Sequence, residues 1–208
     1  QGTEERLNMP AISPVKIANM ALSHIGSSAT IENFDEESIE AKQLKLWYDW
    51  ARIQTLMALN WNFARKRMSL APHSDAPPSE WAFRYQYPAD AVAIRYIVNP
   101  AGKQADAIPF EIELDSGGNT KSVVTNMAEA EVVYTYDLST TSLFSPMFIN
   151  ALSFILGSMV AFALTGKLSI VDRCNQQAAR MLRAAQAFDA NEHVGEPPRD
   201  TEWIRERA

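Results

Sequence analysis

The most regularly spaced acidic side chains lie in the segment "IPFEIELD", where Glu111, Glu113 and Asp115 occupy alternate positions. In an extended strand, alternate side chains point to the same face, so these three carboxyl groups would share one face. Two carboxyl groups at a suitable separation can perform the acid, base or nucleophile steps of glycoside hydrolysis. Simple alternation is also typical of the solvent-facing side of an antiparallel sheet, and we favour that interpretation.

The other residue types that commonly perform chemistry are few and scattered. His24, His73 and His193 form neither an HxxxH nor an HExxH pair, and Cys174 is the single cysteine. A zinc site and a disulfide framework are therefore not expected, and the apolar spacing around Cys174 favours a core position. The sequence also contains no GxSxG, Walker or Rossmann glycine pattern. We predict no catalytic residue, no bound metal and no cofactor.

A short basic run, Arg65, Lys66 and Arg67, follows the aromatic pair Trp61 and Phe63. Such a run could contact phosphates or an acidic partner. Three charges are fewer than a dedicated nucleic-acid-binding face carries, and the net charge of the chain is -6. We treat the three residues as candidates for contact with DNA or a partner, and a solubilising run beside two core aromatics as the simpler interpretation.

Boundary residues and apolar spacing predict the first two helices. Ser13 and Pro14 suit the N-cap and the first position of one helix, and Gly26 suits its end. We expect Asp35 to cap a second helix with acids in its first turn, ending near residues 59–60. Its apolar stripe, expected to pack on the rest of the bundle, comprises Ile39, Gln43, Leu46, Trp47, Trp50, Ile53 and Met57. The opposite face carries Lys42, Lys45, Asp49 and Arg52.

The stretch "LFSPMFINALSFILGSMVAFALTG" carries no charge and is about as long as a membrane span. A helix at the centre of a bundle has the same composition. Because neither flank carries a one-sided basic cluster, we favour a buried helix that begins at Ser145 and Pro146 and ends at Gly166. A last amphipathic helix is predicted from about residue 168 to residue 192.

Between the second and third predicted helices, the spacing of apolar residues changes from three or four residues to two. The runs "WAFRYQYP", "AVAIRYIVNP", "IPFEIELD", "KSVVTN" and "EVVYTYDL" read as short strands, and "DSGGN" as a hairpin turn. We predict an α+β fold, in which a helical bundle of about four helices carries an inserted small antiparallel β unit. The expected parts are an N-terminal arm (1–13), the bundle (14–79 and 139–192), the β unit (80–138) and a C-terminal tail (193–208).

The order of several segments resembles the tail tubular protein A family, the head-to-tail adaptor proteins of short-tailed bacteriophages. The resemblance runs through "ANMALSHIGSSATIENFDEES", "WYDWARIQTLMALNWNFARKRMSLA" and "FRYQYPADAVAIRYI". It continues through the uncharged stretch, "AAQAFDANE" and "WIRER", and covers roughly residues 15–207. The order of these segments carries the resemblance, since none of them is catalytic.

The resemblance implies a non-enzymatic virion protein at the head-tail junction, assembled in the host cytoplasm without membrane insertion. Copies of the chain would form a ring, twelve-fold in that family, beneath the portal protein. The ring would continue the channel for double-stranded DNA and support the tail nozzle, a tubular protein B-like partner. A net charge of -6 is compatible with a wall that lets DNA pass without holding it.

The tail "VGEPPRDTEWIRERA" is polar and interrupted by prolines, but it carries one large apolar pair. Such a segment is typical of chains that order on a partner. We expect Trp203, Ile204, Arg205 and Arg207 to bind the portal, and the isolated chain to stay a monomer until the portal templates the ring. Two alternative functions remain: a tail-associated peptidoglycan hydrolase that uses Glu111 or Glu113, and a protein anchored by a single membrane span.

Overall fold

The computed structural model describes residues 12–100 and 107–191, which form helices and antiparallel strands. The helices are α1 (Pro14–His24), α2 (Ile39–Ala58), α3 (Pro146–Thr165) and α4 (Leu168–Asn191). The strands are β1 (Arg65–Ser69), β2 (Phe83–Gln86), β3 (Ala91–Ile97), β4 (Phe110–Leu114), β5 (Lys121–Thr125) and β6 (Glu131–Tyr136). The predicted α+β class is confirmed.

The strands form two three-stranded antiparallel sheets, ordered β1-β6-β3 and β2-β5-β4. A second apolar core lies between them, separate from that of the helices, and comprises Leu70, Tyr85, Ile97, Val123, Ala130, Val132 and Tyr134. The predicted hairpin turn between β4 and β5 is confirmed. Gly118 has a φ of 68°, and the Asp115 carboxylate accepts hydrogen bonds from the Asn119 backbone N–H (2.7 Å) and the Thr120 hydroxyl (2.8 Å).

Strand β1 lies before the range 80–138 that the sequence predicts for the β unit. It pairs with β6 from Arg65, opposite Thr135, to Ser69, opposite Glu131. All five side chains of this edge strand are exposed, so it shows none of the apolar alternation by which a half-buried strand is recognised. The short 3-10 turn Asn62–Ala64 directly precedes it, and residues 59–61 connect this turn to the end of α2.

The predicted beginnings of α1 and α3 are confirmed. The Ser13 hydroxyl accepts a hydrogen bond from the Lys16 N–H (3.1 Å), and the Ser145 hydroxyl accepts one from the Phe148 N–H (3.2 Å). In both helices proline follows the cap, where its missing N–H costs nothing. Gly166 ends α3 with a φ of 68°, a left-handed conformation that glycine adopts without strain.

The predicted beginning of α2 is wrong. Ser38 caps this helix by accepting a hydrogen bond from the Ala41 N–H (3.2 Å), and Asp35 lies before it in a turn. The Asp35 carboxylate instead binds the Lys45 ammonium (2.7 Å). Asp and Ser are about equally good N-caps, so residue type alone does not choose between the two positions.

The predicted packing face of α2 is also wrong. The buried face comprises Ala41, Leu44, Tyr48, Ala51, Arg52, Thr55 and Leu56, and it packs mainly on α3. This face follows the same three- and four-residue spacing, but its two alanines let the neighbouring helix approach closely. The larger side chains Ile39, Leu46, Trp50 and Met57 point outward, with exposed fractions of 68%, 60%, 67% and 61%.

Helix α3 lies at the centre of the bundle and contacts α1, α2 and α4. By length and composition it is also a candidate membrane span, the one such helix in the described part of the chain, and half of its 18-residue apolar window is buried. A central bundle helix has the same composition, because it is surrounded by other apolar faces.

Two serines within α3 have hydrogen-bond partners. The Ser153 hydroxyl, fully buried, donates to the Asn150 carbonyl (2.9 Å) and lies 3.0 Å from Nε2 of His24. The Ser158 hydroxyl donates to the Ile155 carbonyl (2.8 Å). Bonds of this kind to the preceding turn let serine lie within an apolar helix without an unpaired hydroxyl.

Candidate interaction surfaces

The basic run lies on β1, and each of its side chains has a partner within the molecule. Arg65 binds the Tyr96 hydroxyl, Lys66 binds the Asp90 carboxylate (2.5 Å), and Arg67 lies 3.6 Å from the Glu131 carboxylate. Because all three side chains are exposed, these contacts are individually weak. The run is therefore accessible but largely neutralised.

The contact between Lys66 and Asp90 is the centre of a small polar network. Its hydrogen bond with Asp90 raises the pKa of Lys66, and its hydrogen bond with Lys66 lowers the pKa of Asp90. Asp90 also accepts a hydrogen bond from the Tyr134 hydroxyl (2.9 Å), and the Lys66 ammonium lies 4.6 Å from the centre of the Tyr136 ring. An incoming phosphate would have to replace these contacts to bind Lys66.

Two of the three alternating carboxylates, Glu113 on β4 and Asp115 in the adjoining hairpin turn, have structural roles. Glu113 forms an ion pair with the buried side chain of Arg84 (2.9 Å), which also donates to the Ser122 hydroxyl (2.7 Å) and the Leu114 carbonyl (3.1 Å). Asp115 holds the hairpin turn, and its pKa is lowered chiefly by the Thr120 hydroxyl. Glu113 is thus committed to a cation rather than to a facing carboxyl group, unlike the pair that glycoside hydrolysis requires.

Among the described residues, His24, His73 and Cys174 do not gather into a site, and His193 lies outside the described residues. The His24 ring stacks on Phe154 (3.7 Å between ring centres), and Nδ1 of His73 accepts from the Asp75 N–H (3.0 Å). Cys174 is buried as predicted, and burial raises the pKa of its thiol, which disfavours the reactive thiolate. The part of the chain that the structure describes contains no group of three His, Cys, Asp or Glu residues able to hold a metal.

A cleft of about 690 Å³ opens between β2 and the turn that precedes β6. Leu70, Phe83 and Tyr85 supply its apolar wall, and Glu129, with a φ of 51°, lies at its edge. The one cation in its lining, Arg84, already donates to Glu113 and neighbouring oxygens. Apart from the Glu129 carboxylate, the described lining of the cleft therefore offers apolar surface and no cation free to orient a ligand.

The most distinctive surface is a row of exposed apolar side chains along α2, which we call the α2 stripe. It comprises Ile39, Leu46, Trp50 and Met57. Contiguous apolar surface of several hundred Å² on a protein commonly marks a binding face. The sequence identified these residues as a stripe, but assigned the stripe to the core.

Two further elements expose large apolar side chains. On β4, Ile112 and Leu114 are exposed, and we call them the β4 patch. At the turn between α3 and α4, Phe162 and Leu168 are exposed, and we call them the turn patch. Large apolar and aromatic side chains of this kind form the centres of protein interfaces.

The residues predicted to bind the portal, Trp203, Ile204, Arg205 and Arg207, lie outside the described residues. No family model matches the chain, and a search of curated proteins found no match to it. The surfaces of the molecule are therefore the main guide to its function.

Proposed function

We propose that this chain is a structural virion protein, a head-to-tail adaptor subunit that joins the portal to the tail nozzle and continues the DNA channel. The observation that carries the proposal is the exposure of large apolar side chains on three separate elements, namely the α2 stripe, the β4 patch and the turn patch. The order of sequence segments, which resembles the adaptor family, gives the proposal its specific form.

A ring subunit needs several distinct contact surfaces. Neighbours in a ring meet through two different faces of the same chain, and an adaptor also contacts one partner above and another below. Fully buried interface centres are apolar, and the exposed apolar side chains of the three surfaces are suited to form such centres. An enzyme acting on a small ligand would instead concentrate its polar and apolar groups in one concave site.

The charges of the molecule also favour a channel wall that lets DNA pass rather than one that binds DNA. The net charge is -6, and Arg65, Lys66 and Arg67 each have a partner within the molecule. Strong phosphate binding requires several free cations and would retain DNA in the channel. We therefore propose only transient contact between this run and DNA, or contact with a neighbouring subunit.

The two alternative functions have less support. In the hydrolase interpretation, Glu113 would have to leave Arg84 before it could act on a glycoside; loss of lytic zones in a zymogram for Glu111→Gln or Glu113→Gln would favour that activity. In the membrane interpretation, α3 would have to leave a bundle that already covers half of its apolar window. Flotation of the protein with liposomes would favour an anchor.

Co-sedimentation with the portal protein of the same phage tests the proposal. The full chain should pellet with assembled portal rings in a saturable, stoichiometric manner. Phe162→Glu and Leu114→Glu separately remove the turn patch and the β4 patch, and we expect at least one of them to reduce the bound fraction more than ten-fold. A chain that stays entirely in the supernatant with portal rings present would contradict the proposal.

A further inference from the structure

The α2 stripe has the spacing of a helix-pairing seam. Its exposed members, together with the half-buried Gln43 and Ile53, recur in steps of four and three residues over the whole length of α2. This is the repeat with which two helices bury a common seam. The opposite face of α2 packs mainly on α3, so the α2 stripe is a second packing face that the chain itself leaves exposed.

The spacing of the stripe is the same when it is read in either direction. From Ile39 the exposed positions follow at seven, four and seven residues, and the same steps return from Met57. We infer that α2 pairs antiparallel with α2 of a second copy of this chain. In that pairing Ile39 packs on the partner's Met57, and Leu46 packs on the partner's Trp50.

The charges beside the stripe fit the antiparallel direction. Two-fold symmetry brings the same flank of both helices together. One flank carries Lys42 and Asp49, so each Lys42 lies near the partner's Asp49, about 8 Å along the axis. A parallel pair would instead place these charges beside the uncharged Trp47 and Gln54. Lys42 contacts Glu37 within the chain (2.7 Å), but both side chains are exposed and can exchange partners.

The dimer would be weak enough that the fraction of paired chains depends on protein concentration. Helix α2 has 20 residues and is therefore about 30 Å long. A stripe of this length buries an area near the lower limit of specific interfaces, roughly 1,200 Å² in total. The inference replaces the expected monomer with a reversible dimer of the free chain, and it does not depend on the proposed phage function.

Sedimentation velocity over a range of concentrations tests the pairing. The full chain should shift toward twice the mass of 208 residues as its concentration rises, and Trp50→Glu should remain a monomer throughout. Leu143→Glu, an equal change at an exposed apolar residue outside α2, the β4 patch and the turn patch, should dimerise as the unaltered chain does. Because both side chains are exposed, we expect both variants to fold, with unchanged circular dichroism. A monomeric parent chain, or a dimer that survives Trp50→Glu, would overturn the inference.

Cysteine cross-linking tests the direction. An oxidised mixture of Ile39→Cys and Met57→Cys chains should give a disulfide-linked heterodimer, whereas Ile39→Cys alone should not cross-link, because its two copies lie about 27 Å apart. The native Cys174 is buried and provides the background control. Cross-linking of Ile39→Cys with itself would indicate a parallel pair, and absence of the mixed product would exclude the proposed register.

Discussion

The guanidinium of Arg52, in the middle of α2, binds the carboxylate of Asp137, which follows β6 in the chain. The same nitrogen donates to the Leu138 carbonyl (2.9 Å). The Arg52 side chain is only 8% exposed, whereas Asp137 is 44% exposed. This contact joins the helical bundle to the last strand of the β unit, so it positions the surfaces of the two parts relative to each other.

Replacing Arg52 should therefore be costly. We expect Arg52→Met to lower the free energy of unfolding by about 2–4 kcal/mol, since it removes a buried, charge-assisted contact and leaves the Leu138 carbonyl without its donor. Arg67→Met, at the exposed pair with Glu131, should change it by less than about 0.5 kcal/mol. Urea unfolding of both variants measures the difference, and equal effects would show that Arg52 does not join the two units.

Two buried tyrosines should respond in opposite ways to loss of their hydroxyl groups. The Tyr48 hydroxyl is buried and has no hydrogen-bond partner among the described residues, and burial raises its pKa to about 12. The Tyr134 hydroxyl donates to the Asp90 carboxylate (2.9 Å). Thermal unfolding should show Tyr48→Phe as neutral or more stable, and Tyr134→Phe as less stable by about 1–2 kcal/mol. A clear loss of stability for Tyr48→Phe would reveal a partner for that hydroxyl.

Stability should fall as the pH is lowered from 7.5 to 5, partly through His24. Burial, and secondarily Arg173, hold the pKa of His24 below its usual 6.5. The folded state then binds fewer protons than the unfolded state, so this contribution is complete above pH 6.5 and is lost as the pH falls through the folded pKa. The melting temperature of His24→Gln should decline less over this range. If the melting temperatures of the unaltered chain and of His24→Gln fell equally over this pH range, the pKa of His24 would not be lowered in the folded state.

Gly157 allows α1 and α4 to approach α3. A Cβ at this position would lie 3.4 Å from the Ala21 carbonyl oxygen and 3.7 Å from Sγ of Cys174. Gly157→Ala should be nearly neutral, because the gain in helix propensity of about 1 kcal/mol offsets this close contact. Gly157→Leu should destabilise by about 3 kcal/mol or more through overpacking, as measured by calorimetry. Full stability in the leucine variant would mean that the helices are not closely packed here.

The C-terminal tail should be needed for docking to the portal. Deletion of residues 195–208 removes the predicted anchors Trp203 and Ile204, and should abolish co-sedimentation with portal rings while leaving the thermal unfolding of the remaining chain unchanged. Trp203→Ala and Ile204→Ala together form the narrower test. Undiminished docking of the shortened chain would place the portal contact elsewhere.

The sequence predicted most of the fold because local signals and packing agree. Ser13, Ser145 and Gly166 bound their helices as expected, and the turn at Gly118 lies where glycine can adopt a positive φ. The predicted β unit does not include strand β1, because an exposed edge strand has no buried face to mark it as part of the sheet. Helix caps and glycine turns are set by a few neighbouring residues, so the sequence is sufficient to predict them.

The orientation of α2 could not be predicted in the same way. Both of its faces have apolar residues at helical spacing, and hydrophobicity favours the face with Trp50 over the face with Ala41 and Ala51. The alanine face is buried because α3 approaches it closely and because Arg52 finds Asp137, a residue distant in sequence. The same error concealed the α2 stripe, which single-chain reasoning assigned to the core. An exposed apolar stripe indicates binding to a partner, and the sequence of one chain does not reveal which partner binds.

Electron microscopy of the purified chain mixed with its portal rings tests the proposed adaptor function most directly. The account predicts an additional ring of density on one end of the portal, coaxial with its channel, in which α1–α4 and the two sheets can be fitted. Portal particles that remain unchanged at saturating concentrations of the chain would contradict it.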